Sequence, residues 1–214
     1  MYTLYWEYMA GSIIVQAMLE ELDADYQMKY VDMGAREHLS PEFLQLNPSG
    51  RVPALGLLDG TTIGETGAIV TLLGEMHAIS PVTPQPGAPD RGAFLYWLNV
   101  MTTAGYVTSS RVGHPERFAS DDNAIAQVKK QADKDFAAFF ELINDAISGQ
   151  DFFLERGLTA LDFYIAMLSE WVSDREALLK RLPRLRNLCA AVRETTAYRT
   201  ALDTHRISAL DDTG

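Results

Sequence analysis

The chain has 214 residues, 47% of them hydrophobic and 22% charged, which suits one or two globular domains with a substantial core and excludes a largely disordered protein. A formal net charge of −11 repels a phosphate backbone, so nucleic acid is excluded as a partner, and the basic run Lys180, Arg181, Arg184, Arg186 reads as a solvated helix face. The single Cys189 excludes an internal disulfide, no Cys/His cluster has metal-ligand spacing, and no run reaches the roughly 20 apolar residues that span a bilayer. The opening Met1–Glu7 lacks the pattern of a secretory signal, so a cytoplasmic protein without membrane contact is expected.

Tyr2 to Tyr8, rich in aromatics, suits a strand. After Ala10-Gly11 the spacing of Val15, Met18, Leu19 and Leu22 predicts an amphipathic helix capped by Ser12. Tyr26, Met28 and Tyr30 alternate as a second strand, closing a βαβ unit. Pro41 to Leu46 follows as a short helix that ends before Asn47-Pro48. Pro53–Leu58 and Thr61–Ile63 flank Asp59-Gly60, which predicts a hairpin with a type I′ turn, and Ile69, Leu72, Leu73 and Met76 continue as a helix. Pro81, Pro84, Pro86 and Pro89 mark a stiff connection. Beyond it helical patterns dominate. One helix is expected from about Arg91 to Thr103, and a long one from Asp121 through Phe136, Phe139 and Ile143 to Gly149. Another begins at Thr159, and a last one at Pro183. The aromatics Phe136, Phe139 and Phe140 read as core.

Two stretches carry the chemistry. In Asn47-Pro48-Ser49-Gly50-Arg51-Val52-Pro53-Ala54-Leu55, a proline at the start of a short strand belongs either in a tight trans loop or after a cis bond. In the cis form the Val52 N–H and C=O turn out of the sheet to pair with an extended peptide. In Gly64-Glu65-Thr66-Gly67, a helix N-terminus offers N–H groups to a carboxylate while Glu65 pairs with an adjacent ammonium, together reading an α-amino-acid end. The alternative is a plain cap, with Thr66 bonding the first turn and Glu65 a favourable acid.

The run N-P-x-G-x-V-P-A-L, followed by Glu65-Thr66, resembles the glutathione-binding domain of the cytosolic glutathione transferase superfamily, whose usual Glu-Ser is Glu-Thr here. Leu158-Thr159-Ala160-Leu161-Asp162-Phe163 resembles that family's capping box and hydrophobic staple, a structural device. Arg91 to Tyr106, particularly Trp97-Leu98-Asn99, is similar to the first helix of the second domain in bacterial members. The resemblance implies a thioredoxin-like α/β domain at 1–78, a linker at 79–90 and an all-helical bundle at 91–214 that shapes the second-substrate site. It implies that the Val52-Pro53 backbone holds the cysteinyl part of glutathione, that Glu65 and Thr66 hold its γ-glutamyl end, and that Arg36, His38 and Arg51 face its glycyl end.

Around the first turn this sequence departs from the family: Met9 stands at the serine position of several classes and Gly11 at the bacterial cysteine position. Two hydroxyls remain as thiol activators, Ser12 first and then Tyr5, because Tyr5-Trp6-Glu7 resembles the Tyr-Trp-Asp of tyrosine-type classes. Each also has a plain reading, Ser12 as a helix cap and Tyr5 as a core aromatic. Tyr106 lies near a second-substrate position, or is packing. The expected function is a glutathione transferase, in which glutathione is co-substrate to an apolar electrophile, no cofactor is tightly bound, and the protein is a homodimer. Isomerase, dehalogenase or disulfide-reductase chemistry, or a non-catalytic glutathione-binding scaffold, remain the alternatives.

Overall fold

The computed structural model describes residues 1–77 and 82–206. Pro81, the expected boundary at residue 78 and the end of the chain beyond 206 lie outside the described residues. The chain forms two compact units, one built from Met1–Arg91 with the segment from Arg193 onward, the other from Gly92–Val192.

In the first unit, β1 (Tyr2–Trp6), α1 (Ser12–Glu21) and β2 (Tyr26–Tyr30) make the βαβ element, α2 (Pro41–Leu46) follows, and β3 (Ala54–Gly56), β4 (Thr62–Gly64) and α3 (Thr66–Met76) complete a thioredoxin-like arrangement. The sheet order is β2-β1-β3-β4, with β1 and β2 parallel and the other pairs antiparallel. Leu4 of β1, Ile13, Ile14, Val15, Met18 and Leu19 of α1, and Ile69, Val70 and Leu73 of α3 form one buried layer. Tyr5, Val31, Phe43, Val52 and Ala54 pack together as a separate cluster.

α1 is buried nearly all round rather than along one stripe, because α10 (Thr196–Thr204) packs on it. Its buried Gln16 is held there by its amide, which donates to Thr204 Oγ1 at 2.9 Å and to the Tyr26 hydroxyl at 3.3 Å, while its Oε1 has no partner among the described residues. The chain therefore does not end on the helix that Pro183 starts. Thr195 breaks it and caps α10 by accepting from the Tyr198 N–H, a start signal that the surrounding polar residues concealed.

The hairpin connection also differs from expectation. Gly60 has φ 87 while Asp59 is not left-handed; Leu57 N–H donates to Thr61 C=O at 2.8 Å and Gly60 N–H to Leu57 C=O at 3.1 Å. This is a three-residue loop in which glycine takes the left-handed position after a type I turn, not a two-residue type I′ turn. Asp59 Oδ1 finishes it by accepting from the Thr61 N–H and hydroxyl at 2.9 and 2.7 Å. The described part of the connection, Val82 onward, lies along α3: a Cβ on Gly74 would stand 1.8 Å from Thr83 Oγ1.

The second unit is helical: α4 (Arg91–Val100), α5 (Val107–Gly113), α6 (Asp122–Ala146), α7 (Ala160–Ser169), α8 (Arg175–Arg181) and α9 (Pro183–Arg193). The helix expected to stop near Thr103 instead runs through a π-helical turn, Met101–Tyr106, into α5. The long helix ends at Ala146, and Gly149 serves a different need, since a Cβ there would come within 2.5 Å of the Phe152 and Leu154 carbonyls. Phe136, Phe139 and Phe140 are core, and α7 is buried along its whole length. Lys180, Arg181, Arg184 and Arg186 are exposed, with Arg181 paired to Glu141.

Candidate functional site

Strand register gathers most of the candidate residues at one end of the sheet. Tyr5 pairs with Ala54, Ala54 with Gly64, and Trp6 with Tyr30. The segments leaving β1, β2 and β4 and the one entering β3 thus share an edge. That places Glu7–Ser12, Val31–Leu39, Arg51–Pro53 and Glu65–Thr66 around it.

The Val52-Pro53 bond is cis. Val52 is a buried member of the Phe43 cluster, and among the described residues neither its N–H nor its C=O has a hydrogen-bond partner. The turn before it is fixed by buried Asn47, whose amide donates to the Arg51 C=O at 2.7 Å and whose Oδ1 accepts from the Ser49 hydroxyl at 2.9 Å. Gly50 has φ 58, which disfavours any side chain, and a tight setting, with Leu39 at 3.0 Å and the His38 C=O at 3.3 Å from the Cβ it would carry. The 36–39 and 47–51 loops therefore lie against each other, bringing His38 near Arg51. Arg36 is exposed in left-handed backbone at the start of the Glu37–Leu39 turn, which Asp32 secures by accepting from the Ala35 N–H at 2.8 Å. Arg51 is exposed.

Glu65 stands at the N-cap position of α3 with φ 63 and ψ 114, a backbone region that a non-glycine residue occupies at a cost of about 1–3 kcal/mol. Its side chain makes no capping bond and is exposed. Thr66 is buried as the first helical residue and does not cap the helix. The N–H groups of the first turn of α3 are left for an outside acceptor.

The turn after β1 corrects the expectation for Ser12. It is the first residue of α1 rather than its cap, it is 0% exposed, and its hydroxyl donates to the Glu7 C=O at 3.2 Å. The structure brings it to the sheet end but commits its proton there. Tyr5 is half-buried, with its ring edge-on to Phe43 at 5.9 Å and the Lys29 ammonium 5.6 Å from its centroid; its hydroxyl has no partner among the described residues. Exposed Met9 has φ 53, and the N–H groups of Met9 and Ala10 have no acceptor among the described residues. Tyr106 belongs to the second unit, at the end of the π turn, with Trp171 at 5.2 Å and Tyr164 at 6.4 Å between ring centroids.

Sequence reasoning missed Glu7 and Asn47. Glu7 accepts from the Tyr8 N–H at 2.7 Å and the Met33 N–H at 3.0 Å, tying the β1–α1 turn to the segment after β2. The Tyr30 phenol also bonds to it, which pushes that phenol up to about 12. Both stand inside motifs that the sequence singles out, Tyr5-Trp6-Glu7 and the run from Asn47 to Leu55, but nothing local assigns them a bracing role.

Residues 12–76 match the glutathione S-transferase N-terminal domain family. Glutathione S-transferase GstA of Escherichia coli O157:H7 is 25% identical over 172 residues, covering 78% of this chain and 81% of that one. The transcriptional regulator URE2 of Saccharomyces cerevisiae is 30% identical over 121 residues, half of this chain but 33% of its own length. The match to protein URE2 of Kluyveromyces marxianus, at 35% identity, spans 18% of that protein. A solved glutathione transferase homologue from Sulfitobacter with bound glutathione shares the fold with a TM-score of 0.86 at 22% identity, covering 95% of this chain and 98% of that one. A sphingomonad glutathione S-transferase complexed with glutathione does so with a TM-score of 0.82 at 24% identity, covering 96% and 100%. The stretch from α1 to α3 thus carries the glutathione S-transferase N-terminal domain, and the chain as a whole shares the fold of solved glutathione transferases.

Proposed function

We propose that the first unit binds glutathione and presents its thiolate to an apolar electrophile. The observation that carries this reading is the pairing, at one sheet end, of an unpartnered Val52 backbone with an exposed Glu65 held in costly backbone at an open helix start. Val52 pairs with the cysteinyl backbone as a strand does, Glu65 with the γ-glutamyl ammonium, and Thr66 with the neighbouring carboxylate. Arg36, His38 and Arg51 supply polar contacts to the glycyl end, and Tyr106 contributes an aromatic surface to the second substrate. Calorimetry tests the assignment: Glu65→Gln should weaken glutathione binding at least tenfold, and equal affinity would refute it.

A free thiol has a pKa near 8.5, so only a few per cent is ionised at neutral pH. The groups available to lower it are the Met9 and Ala10 N–H groups and the positive end of α1. Tyr5 and Ser12 are the nearby hydroxyls, and Ser12 reaches a sulfur only by giving up its bond to Glu7. That commitment favours a backbone-held thiolate. A homodimer and a cytoplasmic location belong to the same reading; light scattering that returned a mass near 23.8 kDa would refute the dimer.

A further inference from the structure

The turn that follows β1 is gripped by residues from far along the chain. The Tyr8 ring lies 4.9 Å from Trp6 and 5.4 Å from Tyr30 between centroids, and the Arg206 guanidinium stands 4.9 Å from its centroid. Its N–H is held by Glu7, the carboxylate that also takes the Met33 N–H. Arg206, exposed and left-handed at φ 56, follows directly on the end of α10. The adjacent His205 packs on Trp6 at 5.0 Å between centroids, is 2% exposed, and has neither ring nitrogen paired among the described residues. α10 is in turn fixed to α1 through the Gln16–Thr204 bond. The next residue after Tyr8 is Met9, whose left-handed backbone leads into the unpartnered Ala10 N–H.

We propose that Tyr8 and Arg206 are positioning residues for the glutathione sulfur: the end of α10 clamps the Tyr8 ring, and through it sets the direction of the Met9 and Ala10 N–H groups. This rests on the glutathione reading of the site. Arg206 is exposed, so what it brings to Tyr8 is a cation over the ring rather than buried apolar area.

The test is ultraviolet titration of bound glutathione with the full chain, paired with calorimetry at pH 6, where the thiol is protonated. Arg206→Ala should raise the bound thiol's pKa by about half a unit while affinity at pH 6 stays within about twofold. Arg206→Lys, which keeps a cation over the ring, should restore the wild-type value. Tyr8→Leu should raise the pKa further than Arg206→Ala, and Tyr8→Phe, which keeps the ring, should match wild type. An unchanged thiol pKa in Arg206→Ala or in folded Tyr8→Leu overturns the positioning role while leaving glutathione binding intact. Wild-type protein that binds no glutathione overturns the site reading and this proposal with it.

Discussion

Two helix starts, those of α3 and α7, are built from the same kinds of residue and finished in opposite ways. At α7, Thr159 and Asp162 complete a capping box: Asp162 Oδ2 accepts from the Thr159 N–H at 2.7 Å and its hydroxyl at 2.9 Å, and Oδ1 accepts from the Phe153 N–H at 2.6 Å. The carboxylate is 0% exposed and every contact is internal. At α3 the acid precedes the threonine, makes no cap, faces solvent and occupies strained backbone. An acid that closes on its own helix serves folding. One that leaves the first turn open at energetic cost is available to a ligand.

The largest effect should come from breaking the closed start. Asp162→Ala strips acceptors from two buried N–H groups and should destabilise the protein by about 3 kcal/mol or more, read by urea denaturation. Glutathione affinity of the protein that remains folded should not change.

The same carboxylate gives a pH signature. Burial raises the Asp162 pKa from 3.8 to about 6, against the lowering effect of its hydrogen bonds to Phe153, to Thr159 and to its own backbone N–H. A raised folded-state pKa contributes stability that is fully present below pH 3.8 and is lost as pH rises through about 6. The stability advantage of wild type over Asp162→Asn should therefore shrink, by roughly 2 kcal/mol, between pH 4 and pH 7. A constant difference across that window would mean the group stays ionised throughout.

At the open start the signs reverse. Glu65→Gln should cost glutathione binding about 1.5–3 kcal/mol, through loss of a charge-assisted hydrogen bond, with thermal stability unchanged. Glu65→Gly should lose at least as much binding yet gain about 1 kcal/mol of stability, because relief of backbone strain exceeds the entropic cost of glycine. A destabilised Glu65→Gly would place α3 with α7 as an internally finished helix.

The smallest effects are expected at the start of α1. Ser12→Ala and Tyr5→Phe should each move the pKa of bound glutathione by less than about one unit, since a full charged hydrogen bond is worth one to two units. A larger shift in either variant would make that hydroxyl the thiol's principal donor.

Much of this was legible in sequence. The order βαβ, α, ββα follows from periodicity and turn residues, and both helix starts announce themselves, since capping and helix-terminus chemistry depend on residues three or four apart. Phe136, Phe139 and Phe140 were placed correctly in the core for the same reason. What the sequence by itself could not decide were contacts between distant segments. α1 is buried on a second face only because α10 returns to it, the Ser12 hydroxyl donates to the Glu7 backbone C=O only because the β1 turn folds back, and Gly149 is required by a passing backbone rather than by its helix. Glu7, which the sequence placed only in the Tyr5-Trp6-Glu7 resemblance, becomes the brace between two strand ends once Met33 is beside it. Local pattern fixes which elements form; which polar groups are satisfied, and which are left for a ligand, depends on neighbours that only the tertiary fold supplies.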